Sequence, residues 1–266
     1  MNEPLKTGAV IGILGGGQLG RMLCIAASRL GLRGHIFDPS SAPPAADVAY
    51  ATTSAAYEDE DALRRFATEV DVITYEFENI PTSALDILEN LRPIRPGREA
   101  LRISQDRLTE KDFLTGLGLE TAPYRAVDTR QDLAEAVDAL GLPAILKTRR
   151  FGYDGKGQAR LSTQEDQATA IGDMAGQAAV LEGFISFSKE ISIIGARNIA
   201  GDVACFDPGE NIHQAGILRT TTVPAQINAT QRMDAVLLAA QIMNALDYIG
   251  VMGVELFVTG QGLIVN

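Results

Sequence analysis

The tightest constraint on this chain lies near its start, in GAVIGILGGGQLGRML over residues 8–23. The unbroken apolar run 9–14 is what a strand covered on both faces of a sheet requires. It ends in Gly15, Gly16 and Gly17, after which Leu19, Met22, Leu23, Ala26 and Leu30 recur at helical spacing until Gly31. Strand, glycine turn and helix in this order predict the first unit of a parallel α/β sheet. Gly15, Gly17 and Gly20 fit G-x-G-x-x-G, a turn that leaves backbone N–H groups free at a helix start, where phosphate binds well. Asp38, at the end of the next strand (His35-Ile36-Phe37), stands where a ribose-binding acid belongs. The pattern favours phosphate binding over close packing alone, but it names no nucleotide.

The alternation continues through residue 91. A helix is predicted over 58–69, opening on the acidic run Glu58–Asp61, where negative charge suits the helix dipole. A strand follows over 71–77, then a helix over 82–91 with Pro81 at its entry. From about residue 120 the pattern changes. Thr129-x-x-Asp132 caps a helix to Leu140, and residues 143–148 (PAILKT) form a strand. Helices are predicted over 163–175 and 228–248, the latter capped by Asn228. Strands are predicted over 178–184, 190–196, 251–258 and 263–265, the last two joined by Thr-Gly-Gln-Gly as a hairpin.

The formal charge of −11 excludes broad nucleic-acid or anionic-membrane binding, which needs a basic footprint. Cys24 and Cys205 are far apart and form no metal or disulfide motif, and Cys24 is expected in the core. No apolar stretch reaches membrane-spanning length and no cleavage-type site follows residues 9–14, so a cytoplasmic location is expected. The basic residues gather in the middle of the chain, around RRFGYDGKGQ. That loop is not a Walker motif, since no Ser or Thr follows Lys156 and no helix starts there. Gly152, Gly155 and Gly157 allow its N–H groups to close over phosphates, with Lys156 supplying charge. Lys147 rises from an apolar strand between Leu146 and Thr148, a setting that calls for an anionic partner. Glu255 lies inside the apolar strand VMGVELFV. If Gly260-Gln261 is the turn, Phe257 pairs with Ile264 and Glu255 with Asn266, on one face. Two oxygen donors side by side suit Mg²⁺ beside nucleotide phosphates.

The blocks IGILGGGQLGRML, TYEFENIP, SQDRLTEK, LPAILKTRRFGYDGKGQ, EGF at 182–184, SKEISI, ENIHQAGILRT and VMGVELFVTGQGLIVN occur in order with fitting spacing. Together they resemble the 5-(carboxyamino)imidazole ribonucleotide synthase family, ATP-grasp ligases of purine biosynthesis. The resemblance implies an α/β chain, an ATP-grasp fold preceded by a Rossmann-like parallel α/β N-terminal domain. It implies boundaries of 1–120 for that domain, 121–182 for a small lobe and 183–266 for a large lobe. The implied reaction uses ATP and bicarbonate to form carboxyphosphate, which carboxylates the amine of 5-aminoimidazole ribonucleotide. A homodimer is implied as well.

By matching motif, the resemblance assigns the ATP phosphates to Arg107, Lys147 and the loop Gly152, Tyr153, Asp154, Gly155, Lys156, Gly157 and Gln158. Glu182, Gly183, Phe184 and Ile185 become the adenine-reading hinge, Glu190 the ribose ligand, and His213 a neighbour of the nucleotide. Glu255 and Asn266 become Mg²⁺ ligands, Asn266 opening an Asn-Glu pair that also serves the nucleotide. Gly17, Gln18 and Leu19 meet the ribonucleotide substrate, Glu76 faces its amine, and Tyr153 lies near bicarbonate. Ala215 stands where many members carry an acid. Members continue past the position of Asn266 into a segment with a second metal carboxylate, so a chain ending there is expected to bind nucleotide poorly and to be inactive by itself. Other readings are a formate-dependent ribonucleotide transformylase, a biotin-carboxylase-like ligase or an NAD-linked oxidoreductase. The last leaves Lys147 and the second glycine loop unexplained.

Overall fold

The structure, a computed structural model, describes residues 4–76, 78–152, 157–174, 176–214 and 216–266. The chain divides into two compact units, residues 1–102 with 248–250, and residues 103–247 with 251–266.

In the first unit, β1 (Val10–Leu14), α1 (Gln18–Arg29), β2 (Arg33–Asp38), β3 (Ala51–Ser54), α2 (Glu60–Thr68), β4 (Val72–Tyr75) and α3 (Thr82–Leu88) follow one another, and the division falls within α4 (Arg98–Ser104). The strands form a parallel sheet in the order β3-β2-β1-β4. Strand alternation sends Leu14 and Phe37 into one core with Phe66, Leu63 and Leu85, and Ile13 and Ile36 into another with Cys24 and Ala45. Both faces of β1 are thus covered, which is why its sequence is continuously apolar. Asp59 caps α2 by accepting from the Ala62 N–H at 2.9 Å.

Helix α1 buries Cys24 as expected but turns its helically spaced large apolar residues outward. Its buried face is Gly20, Cys24 and Ala27, while Leu19, Met22, Leu23 and Leu30 are exposed. The reason is packing distance. A Cβ on Gly20 would stand 2.7 Å from the Gly15 carbonyl oxygen, and one on Gly34 of β2 would stand 2.5 Å from the Cys24 sulfur. Small side chains let the helix lie close to the sheet, and the larger apolar ones face away.

The second unit contains α5 (Arg107–Gly116), β5 (Tyr124–Val127), α6 (Arg130–Leu140), β6 (Ala144–Thr148), β7 (Gln158–Leu161), α7 (Asp166–Asp173) and β8 (Ala179–Gly183). Its strands form an antiparallel sheet ordered β5-β8-β6-β7, with α6 packed over it through Leu133, Ala136 and Val137. Thr129 and Asp132 form the expected capping box. A second sheet follows from β9 (Lys189–Arg197), β10 (Val203–Cys205), β11 (Gly209–Gln214), β12 (Ile217–Thr222), β13 (Gly250–Val258) and β14 (Leu263–Val265), ordered β12-β11-β9-β13-β14 with β10 beside β9. Between β12 and β13 runs α8 (Ala229–Ala245), capped by Asn228 reciprocally with Gln231. Ala235 and Ala239 of α8 pack on Ile191, Ile193, Val254 and Leu256. That leaves the alternate strand residues Glu190, Ser192, Gly253 and Glu255 on the opposite face of the sheet. The hairpin register is as expected: Phe257 opposes Ile264, and the Asn266 N–H donates to the Glu255 carbonyl at 3.0 Å.

Candidate functional site

In the second unit, β6 delivers Lys147 and the adjacent strand β8 delivers Glu182. Lys147 Nζ lies 2.8 Å from Glu182 Oε2, and Lys111 Nζ of α5 lies 3.3 Å from Glu182 Oε1. All three side chains are largely buried. Burial pushes the Glu182 carboxyl up, but the two ammonium groups outweigh it and hold it below the usual carboxylate range. Burial lowers Lys111, and Glu182 only partly compensates. Glu110, the preceding residue of α5, is pushed up to about 7 by its surroundings, despite the nearby Arg107, Lys111 and Lys147.

Helix α5 is tied to the end of β6 by a clamp. The Arg149 guanidinium donates to Asp106, with Nη2–Oδ2 at 2.8 Å, and Asp106 also accepts from the N–H groups of Leu108 and Thr109 as the helix cap. The Arg107 N–H donates to the Arg149 carbonyl at 3.0 Å, and Arg150 donates to Gln105 at 2.8 Å. These bonds set Arg107 at the first position of α5, beside the strand that carries Lys147. At the glycine loop, the Thr148 N–H donates to the Gly157 carbonyl at 2.7 Å and Gln158 pairs with Lys147. Gly157 has φ +69°, and a Cβ there would meet Thr148 Oγ1 at 2.5 Å, so both dihedral and space require glycine. Tyr153, Asp154, Gly155 and Lys156 lie outside the described residues, as does Ala215.

On the open face of the second sheet, His213 Nδ1 of β11 lies 3.3 Å from Glu190 Oε2 of β9. Burial raises the Glu190 carboxyl and Glu255 adds to this, whereas His213 and Lys147 oppose it. The structure therefore brings Lys147, Glu182, Glu190, His213 and Glu255 into one electrostatic neighbourhood. The backbone bond between Asn266 and Glu255 sets a carboxylate beside an amide, two oxygen donors of the hard kind that Mg²⁺ takes, and among the described residues no cluster of three or more His, Cys, Asp or Glu surrounds them. At the end of β8, the Gly183 N–H donates to the Pro123 carbonyl at 2.8 Å and the following Phe184 N–H to the Pro143 carbonyl at 3.2 Å, so neither is left for a base. The exposed Phe184 ring has the Arg160 guanidinium 4.8 Å from its centroid, and Ile185 lines a cleft of about 780 Å³ with Tyr124, Thr115 and Ile264.

In the first unit, the glycine turn is closed by its own acids. Asp38 Oδ2 accepts from the Gly16 N–H at 2.7 Å, and Glu76 accepts from the N–H groups of Gly17 and Gly20 at 2.8 and 3.0 Å. Those donors are thus not free in this structure, contrary to the expectation for a bare phosphate turn. Gln18 and Leu19 stand exposed at the start of α1. Sequence reasoning missed Lys111, Glu110 and the Asp106–Arg149 clamp. The signal was present in QDRLTEK, where 107, 110 and 111 fall on one helical face.

Residues 8–105 match the family model described as a ribonucleotide synthetase preATP-grasp domain, and residues 112–266 match that of the ATP-grasp domain. The chain is 51% identical over 260 residues to the N5-carboxyaminoimidazole ribonucleotide synthase of Brucella melitensis, covering 97% of this chain and 72% of that protein. Among solved structures, the ADP complex of an N5-carboxyaminoimidazole ribonucleotide synthetase matches with TM-score 0.96 and 37% identity, over 100% of this chain and 71% of that one. The Aspergillus clavatus N5-carboxyaminoimidazole synthase, in complex with ADP and 5-aminoimidazole ribonucleotide, matches with TM-score 0.88 and 27% identity, over 98% and 69% of the two chains. The expected fold class, an ATP-grasp fold after a parallel α/β domain, holds.

Proposed function

This chain belongs to the N5-carboxyaminoimidazole ribonucleotide synthase family of ATP-grasp ligases, and from that membership we propose that it carboxylates the amine of 5-aminoimidazole ribonucleotide at the expense of ATP. The observation that carries the reading to this chain's own residues is the buried Lys147–Glu182 pair at the foot of the glycine loop, facing Glu190 and Glu255. Two lysines share the Glu182 carboxylate there, one to each oxygen, so Lys147 keeps N–H donors for an anionic ligand. Residues 121–182 and 183–266 act as the two ATP-binding lobes, and residues 1–120 as the substrate domain.

In the proposed reaction a bicarbonate oxygen attacks the γ-phosphorus of ATP and ADP leaves. The substrate amine then attacks the carbon of carboxyphosphate, and inorganic phosphate leaves with the electron pair of the broken C–O bond. Such transfer needs positioning and charge neutralisation rather than a protein nucleophile. Lys147 and Arg107 hold the phosphates, Glu190 holds the ribose hydroxyls beside His213, and Phe184 and Ile185 flank the base. Glu255 and Asn266 hold Mg²⁺, which when bound neutralises phosphate charge. Glu76 and residues 17–19 belong to the ribonucleotide site, Glu76 acting also as the support of its turn. Tyr153, near bicarbonate, and Lys156, on the phosphates, complete the assignment from the loop.

Exposed Met22 and Leu23 of α1, with Leu30 just past its end, support a homodimer, because a contiguous exposed apolar patch marks interaction sites. The working location proposed is the cytoplasm, consistent with two free cysteines. Among the described residues no helix is long and apolar enough to cross a membrane. The test is product formation by the complete protein. Carboxylation that requires ATP, Mg²⁺ and bicarbonate supports the reading. Turnover that requires formate instead, or stabilisation by NADH but not by Mg·ADP, overturns it.

A further inference from the structure

Lys111 is a buried cation for which the proposed reaction has no use. It lies one helical turn beyond Arg107 on α5 and is only 7% exposed, too enclosed to meet a ligand directly. Its Nζ lies 3.3 Å from Glu182 Oε1 and 5.5 Å from the centre of the Tyr124 ring. That ring is fixed in turn, since the Tyr124 hydroxyl donates to Asp112 at 2.7 Å. The other oxygen of Glu182 accepts from Lys147 at 2.8 Å. One carboxylate therefore bridges two ammonium groups, each held to one oxygen.

The bridge has a consequence for Lys147. A carboxylate giving both oxygens to a single lysine would neutralise it and draw it back against β8. A carboxylate whose second oxygen is already taken leaves that lysine partly uncompensated and fixed in direction. We propose that Lys111 is a positioning residue for the nucleotide phosphates: by holding Glu182 Oε1 it leaves the Lys147 ammonium only half-compensated by that carboxylate and aimed along β6 towards the ligand. This rests on the reading of Lys147 as a phosphate ligand. A purely structural lysine predicts something different, because replacing a buried ion-pair member of this kind by an apolar side chain of similar length changes stability and leaves ligand chemistry alone.

Lys111→Met and Lys111→Arg in the complete protein separate these cases, with ATP, ADP and adenosine as probes. The expected result for Lys111→Met is ATP and ADP binding weakened about tenfold, equivalent to about 1.4 kcal/mol, with the KM for ATP raised in step, kcat changed less, and adenosine affinity unchanged. Lys111→Arg should restore nucleotide binding to within about threefold, since its guanidinium can hold the same oxygen. If Lys111→Met does not fold, Lys111→Gln carries the same expectation. Unchanged ATP affinity, or an equal loss for adenosine and ATP, overturns the inference. Absence of Mg-dependent ATP binding in the unsubstituted protein is a separate outcome, which overturns the reading of the site as a nucleotide site.

Discussion

The two glycine turns of this chain follow apolar strands and look alike in sequence, yet different groups meet them: acids bond the first turn's N–H groups, whereas lysines stand beside the second. At the first, the N–H groups of Gly16, Gly17 and Gly20 are taken by Asp38 and Glu76. At the second, Lys147 and Lys111 divide one carboxylate, and Arg107 is set nearby by the Asp106–Arg149 clamp. Donors satisfied from within the chain give a fixed scaffold, whereas ammonium groups that share one carboxylate keep N–H donors for an external anion. A glycine pattern alone therefore does not locate the nucleotide. The charge beside it does.

The strongest way to break this contrast is Lys147→Met. Removing the cation that faces the phosphates should lower kcat/KM for ATP by about 10²–10³-fold, the loss typical of one preorganised transition-state donor. Glu182 keeps Lys111 as partner, so the fold should survive, and circular dichroism of the variant checks that. Activity within about tenfold of the unsubstituted protein would show that the Lys147 ammonium at the second turn is not what binds the nucleotide.

Next in size is a change at the first turn. In Gly20→Ala the new Cβ would be 2.7 Å from the Gly15 carbonyl oxygen, a backbone atom that cannot swing away. Overpacking of this kind costs about 1–3 kcal/mol, read as a lower urea midpoint. A neutral outcome would mean that α1 does not need its close approach to the sheet. Glu76→Gln should cost no more, about 1–2 kcal/mol, because the amide oxygen still accepts one N–H while the other N–H loses its acceptor and the charge at the helix start is lost. The same urea titration measures it, and a change above that of Gly20→Ala would reverse the order expected here.

The parallel sheet was legible in the sequence because β1 is apolar throughout and its helices alternate with strands. The Glu255–Asn266 pairing was legible too, because a two-residue turn fixes register. The orientation of α1 was not. Spacing marks an apolar stripe, but tight glycine and cysteine contacts decide which side meets the sheet. Strand β12 was invisible because every residue of Ile217–Thr222 is exposed, leaving no alternation to read. Glu182 was read as part of a hinge, and its side chain proved to be the centre of an ionic bridge. Its partners Lys111 and Lys147 come from a distant helix and a neighbouring strand, and the β6–β8 register that joins Ile145 to Glu182 is a tertiary fact.

The last expected effect is a slope with pH rather than a loss at one pH; it concerns Glu110 and sharpens the contrast from the acidic side. Its carboxyl is raised from 4.5 to about 7 in the folded chain, burial winning over Arg107, Lys111 and Lys147, with Glu182 adding to the rise. The folded state therefore holds a proton that the unfolded state has released between those two values. Stability from this group is fully present below pH 4.5 and is lost as pH rises through about 7. Glu110→Gln cannot lose a proton, so the stability of the unsubstituted protein relative to the variant should decline from pH 5 to pH 7.5 and then level off. Urea titrations of both proteins across that range measure the difference. A difference that grows with pH would mean that the cations around Glu110 prevail over its burial, and that the acids of the second unit are held as firmly ionised as Glu182.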